Sequence, residues 1–128
     1  MKERSTSKGI GNKGEAFVTD LLKTNGWQII ATQWKCRWGE IDIIACDRHW
    51  LIFVEVKTRS DRNWDRDGAL AITLRKQQKL YKAASEFLLQ YPNLALLPCR
   101  FDVALVRYQQ DAIDLQDYLE AAFTVSDR

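Results

Sequence analysis

The sequence predicts an α/β domain, a mixed β-sheet covered by helices, and three observations carry that reading. Apolar residues recur at helical spacing over two stretches; shorter runs of strand character lie between and after them; and the order is helix, three strands, helix, strands. A length of 128 residues fits one domain with one core, and an apolar content of 46% argues against disorder over most of the chain. Residues 1–10 are polar and without periodicity, so they read as a flexible arm ahead of a single domain over 11–128.

From Asn12 the pattern turns helical: Ala16, Phe17 and Leu21, with Val18 and Leu22 one register over, form an apolar stripe. Asn25-Gly26 supplies the stop, because glycine accepts a left-handed conformation. WQIIATQW, from Trp27, reads as a first strand that runs into a loop or extension through Lys35–Gly39. EIDIIAC and WLIFVEV are the second and third strands, joined through Asp47, Arg48 and His49. The polar segment Thr58–Gly68 reads as a surface loop. A long helix is expected from about Ala69 to Gln90, with Ile72, Leu80, Ala83, Ala84, Phe87 and Leu88 near helical period and Pro92 ending it. RFDVALVRY gives a fourth strand. AIDLQDY gives a short fifth across the Gln109–Asp111 turn, and LEAAF a brief terminal helix.

No apolar run approaches the roughly 20 residues of a membrane span, and the N-terminus has no apolar stretch behind its charges, so a soluble cytoplasmic protein is expected. Cys36, Cys46 and Cys99 are odd in number and form no C-x-x-C pair, which points to core-facing or half-buried thiols rather than a disulfide framework or zinc site. His49, alone on a turn, reads as a solvated polar residue. Net charge is +2, but its distribution is uneven: Arg75, Lys76, Lys79 and Lys82 lie together without an acid, and Asp111, Asp114, Asp117 and Glu120 without a base. A basic helix face of this kind suits phosphates, although from charge alone a merely solvated face is the better reading.

The hairpin Gly39–Arg59 holds the main chemical signal. Glu55 and Lys57 alternate onto one face with Leu51 and Phe53, and Asp42 shares a face with Ile44 and Cys46. With Arg48-His49 as a two-residue turn, opposed pairs sum to 97 and Asp42 stands opposite Glu55. Two like charges about 5 Å apart repel by roughly 3 kcal/mol at an effective dielectric of 20. Lys57 relieves one carboxylate, or a divalent cation takes both as hard oxygen ligands. Magnesium or manganese held by Asp42 and Glu55, with Lys57 beside it, suits phosphodiester hydrolysis. The competing reading is an exposed face with an ordinary ion pair.

These residues resemble the nuclease superfamily whose mark is (P)D…(D/E)-x-K on a β-hairpin. More closely, GNKGEA, GEIDIIA, FVEVKTR, RKQQKL and CRFDV are similar to the YraN family, related to archaeal Holliday-junction resolvases. The similarity runs from about Gly9 to Phe123. It implies a restriction-endonuclease-like core in the order α-β-β-β-α-β-β and a metal-dependent endonuclease acting on DNA, branched or otherwise structured, ahead of RNA. It further implies Asp42, Glu55 and the Val56 carbonyl as metal ligands, Lys57 as catalytic lysine, and Glu15 as a helix-borne acid that helps hold metal or water. Lys76 and Gln77 match a polar pair on the long helix; with Arg75 and Lys79 they form the expected nucleic-acid contact. Arg100 and Asp102 match a further motif, read as an internal ion pair. Glu40 is left as a group behind the site or at an edge. Trp27 and Trp50 read as core; Trp34 and Trp38, beside Lys35 and Arg37, either stack on bases or line an apolar face under a helix. A homodimer would pool two basic faces. The alternative function is a catalytically silent nucleic-acid-binding or adaptor module.

Overall fold

The computed structural model describes residues 7–59 and 72–123, with side chains from residue 9 onward. Its order is α1 (Ser7–Thr24), β1 (Gln28–Cys36), β2 (Gly39–Cys46), β3 (Leu51–Arg59), α2 (Leu74–Gln90), a 3-10 turn (Pro92–Leu96), β4 (Cys99–Gln109) and β5 (Ala112–Phe123). The expected α-β-β-β-α-β-β succession is therefore present. The strands form one five-stranded sheet in the order β1-β2-β3-β4-β5. Only β3 and β4 run parallel, joined by the crossover that contains α2.

The local signals explain most boundaries. Asn25 donates from its backbone N–H to the carbonyls of Leu21 and Leu22, and Gly26 takes φ +92°, so α1 stops where the glycine permits it. The Thr73 hydroxyl accepts from the Lys76 N–H and starts α2; Pro92 follows its end. Asp47 donates its N–H to the Trp50 carbonyl, and its carboxylate accepts from the N–H groups of His49 and Trp50. That turn fixes the β2–β3 register at Ile43–Val54 through Cys46–Leu51, the register in which pairs sum to 97.

Several expectations fail. Helix α1 begins at Ser7 rather than Asn12, so part of the expected arm is helical; residues 1–6 lie outside the described residues. The same holds for residues 60–71, which contain most of the expected loop and the first turn of the expected long helix. LEAAF is not a helix but the end of β5. Its backbone is pinned there by tertiary contacts: the Ala121 N–H donates to Asp102, and Phe123 stacks on Phe101 at 5.0 Å. Trp50 is not core; it is 37% exposed and lies over the Arg100 guanidinium at 5.3 Å, with Trp27 contacting the same group at 5.5 Å. Cys46 is buried and Cys36 half-buried as expected, whereas Cys99 is exposed.

The sheet buries both faces. Val18 and Leu22 of α1 cover Ile43, Ala45, Ile52, Val54, Ala104 and Val106. Leu80, Ala83, Ala84 and Phe87 of α2 cover Ile41, Ile44, Cys46, Leu51 and Phe53 on the other face. Trp34 meets Phe87 edge-on at 5.4 Å, which realises the apolar-face reading of that tryptophan. One close approach sets the height of α1: a Cβ on Gly14 would stand 1.9 Å from Thr58 Oγ1. No helix among the described residues is long and apolar enough to cross a membrane.

Candidate functional site

The alternation along β2 breaks at Asp42. Ile43 joins the α1-side core, yet Ile41, two residues away, joins the α2-side core. On β1, Gln33 sits between the pairs Thr32–Ile43 and Trp34–Ile41 and takes φ +50°, a left-handed conformation that costs a non-glycine residue about 1 kcal/mol or more. Both strands kink at one level. Beyond Ile43–Val54 the recorded β2–β3 pairing also ends, while β3 continues beside β4 to Arg59. Asp42 fills this fork: its Oδ2 accepts from the Val56 N–H at 2.8 Å, in place of a strand partner. The expected sharing of a face with Ile44 and Cys46 is thereby corrected, because the kink turns Asp42 out of strict alternation.

Both helices reach the fork. Glu15 arrives from α1, and the Gln33 amide bonds its Oε2 at 3.0 Å and Asn12 Oδ1 at 3.1 Å. Glu15, Glu40 and Asp42 each offer a carboxylate oxygen, all within 4.8 Å of one another. Glu40, placed behind the site by the sequence, thus stands within the acidic cluster; its parity with Asp42 was the available signal. Glu55, 8% exposed, is held from the other side by Lys76 Nζ at 3.1 Å from its Oε1. Burial pushes the Asp42 carboxyl up to about 9, with the Glu55 charge next and Glu15 adding to it, against the lowering bond from Val56. Burial alone would pull the Lys76 ammonium down, but Glu55, with Asp42 and Glu40, drives it above its ordinary value.

Two cavities meet at these carboxylates. One, of about 370 Å³ on the α1 side, is lined by Asn12, Glu15, Gln33, Lys35 and Val56. The other, of about 270 Å³ on the α2 side, is lined by Trp38, Lys76, Lys79, Leu80 and Ala83. Glu40, Asp42 and Glu55 line both. The acids therefore line both chambers, joined by Glu15 and Lys35 on the α1 side and by Lys76 and Lys79 on the α2 side.

Of the sequence-derived residues, Glu15, Asp42, Glu55, Val56, Lys76 and Lys79 come together. Lys57 follows two positions after Glu55 on β3 and is not among the residues lining these two cavities. Arg75 is exposed, and the Gln77 amide turns back to the Ile72 carbonyl at 2.8 Å. Asp102 is fully buried and takes both bonds from Arg100, at 2.9 and 3.0 Å, which is the internal ion pair read from RFDV.

A mixed sheet in this order, flanked by two helices and forked at an acidic cluster, defines an α/β protein consistent with a nuclease-like core. Residues 14–106 match the model of the family described as "Uncharacterised protein family UPF0102". A UPF0102 protein of Synechococcus sp. (strain JA-3-3Ab) is 50% identical over 127 residues, covering 96% of this chain and 97% of the relative. Another, of Thermosynechococcus vestitus, is 54% identical over 117 residues, covering 91% and 94%, and one of Nostoc sp. is 49% identical over 130 residues, covering 89% and 93%. The chain belongs to the UPF0102 family, the YraN family to which its motifs are similar.

Proposed function

We propose that this protein is a metal-dependent endonuclease that hydrolyses phosphodiester bonds in DNA, with magnesium or manganese held by the carboxylates at the β2–β3 fork. The observation that carries this is a cluster of four acids, Glu15, Glu40, Asp42 and Glu55, met by Lys76 and Lys79 where the two chambers join. Glu15, Glu40 and Asp42 are hard oxygen donors close enough to share one cation, and Asp42 is costly to ionise without one, so the donor set fits a divalent ion. Such an ion supplies Lewis-acid stabilisation and a more acidic water. Val56 fixes Asp42 through its N–H and lines the α1-side chamber, and Gln33 fixes Glu15. Glu55 completes the acidic wall. Lys76 and Lys79 supply positive charge to substrate phosphate on the α2 side, and Lys57, next along the face from Glu55, offers an ammonium to developing charge.

The test offers linear, single-stranded and four-way-junction DNA to the purified protein with magnesium, manganese or chelator. Metal-dependent cleavage is expected, with Asp42→Ala abolishing it and Lys57→Ala lowering it by about 10²–10³-fold. Binding without cleavage under every metal overturns the nuclease and leaves a binding module; neither binding nor cleavage leaves an adaptor.

A further inference from the structure

We infer that Arg37, Trp38 and Lys82 form a phosphate-holding station for a single strand of nucleic acid, at the mouth of the α2-side chamber. Arg37 and Trp38 make the two-residue turn between the paired ends Cys36 and Gly39 of β1 and β2. The indole gathers two cations: Arg37 Cζ lies 4.8 Å from its centroid and Lys82 Nζ 4.5 Å. Neither cation has an acidic partner among the described residues. Two positive groups drawn to one ring repel each other, and an exposed cation–π contact contributes only about 0.5–1 kcal/mol. An anion completes the set.

The position of the station says which anion. Lys76, Lys79 and Lys82 follow at intervals of three along α2, a spacing that keeps successive side chains adjacent. Lys76 meets Glu55, Lys79 lines the chamber, and Lys82 meets Trp38, so the row leads from the acidic cluster to the β1–β2 turn. Each step rises about 4.5 Å. A row of cations ending at an aromatic ring is how grooves track the backbone of an unpaired strand. The direction assigned to the strand rests on the nuclease reading of the acidic cluster; the station as a binding site does not.

A short fluorescein-labelled oligothymidine strand, titrated with the full chain by anisotropy in chelator over a series of salt concentrations, tests this. The variant Arg37→Gln/Lys82→Gln removes two exposed charges, and a thermal midpoint equal to the native one verifies its fold. Each phosphate contact on a single strand adds about 0.7 to the slope of log K against log salt, so a fall of about 1.4 is expected. Lys23→Gln, at the far end of α1, should leave the slope in place. An unchanged slope in the double variant, an equal fall in Lys23→Gln, or no binding by the native protein overturns the station. Cleavage with magnesium is scored separately on the native protein. Its absence beside the expected slope change removes the nuclease and keeps the strand-binding site.

Discussion

Asp42, half-buried, and Asp102, fully buried, are carboxylates on the same sheet, and their surroundings are opposite. Asp102, 0% exposed, accepts two bonds from Arg100, one from the Tyr118 hydroxyl at 2.6 Å and one from the Ala121 N–H at 3.0 Å. Every direction around it is answered, and the same bonds push the Tyr118 hydroxyl above its ordinary range, burial first and the Asp102 bond next. Asp42 accepts one backbone N–H, stands among Glu15, Glu40 and Glu55, and has Lys76, itself paired with Glu55, as its nearby cation. Evenly satisfied polar groups hold a fold together, whereas a half-buried acid set among acids costs stability.

The largest test of that contrast is Asp102→Ala, which strands Arg100 and should cost about 3–5 kcal/mol by urea unfolding. A loss below 1 kcal/mol would put the two aspartates in one class. Asp42→Asn should act the other way in chelator at neutral pH, gaining on the order of 1–3 kcal/mol because the amide needs no proton taken up on folding, and weaken magnesium binding by calorimetry. A less stable variant would refute the crowded-carboxylate picture. The pH dependence gives the sign independently. Asp42 holds its proton up to about 9 in the folded chain but releases it near the ordinary value of 3.8 once unfolded. Its contribution is therefore complete below about pH 4 and is lost as pH rises through 9, by at most about 1.4 kcal/mol per pH unit. Asp42→Asn should remove that slope in metal-free thermal melts at successive pH values. Tyr118→Phe removes one of four bonds to Asp102 and should cost about 1.5 kcal/mol. Gln33→Ala frees Glu15 but keeps the Cβ and with it the left-handed strain at position 33, so it should cost about 1 kcal/mol while magnesium affinity falls.

The hairpin was legible because the D-R-H turn is short and self-bonded, so the register followed from counting. The helix stop at Gly26 and the pair Arg100–Asp102 were legible for similar local reasons. The switch of face at Asp42 was not, since it arises beside the left-handed Gln33 on another strand; Glu40 was within reach, because simple alternation already puts it on Asp42's face. LEAAF carries good helix formers, but Asp102 and Phe101 hold it extended from another strand. Trp50 looked like core because its alternation is right, but it stands just ahead of β3, 37% exposed, with the Arg100 guanidinium over its ring.

Gly14 gives the close approach of α1 a further meaning. In a helix interior glycine forfeits about 1 kcal/mol relative to alanine, and the residue beside it in sequence is Glu15. The absent methyl lets the helix axis settle onto Thr58, and that depth determines how far into the sheet an acid on α1 can extend. A single methyl at this position would act as a shim, lifting Glu15 away from Asp42 without touching either carboxylate. Spacing between charges on separate elements is thus set here by the smallest side chain in the neighbourhood.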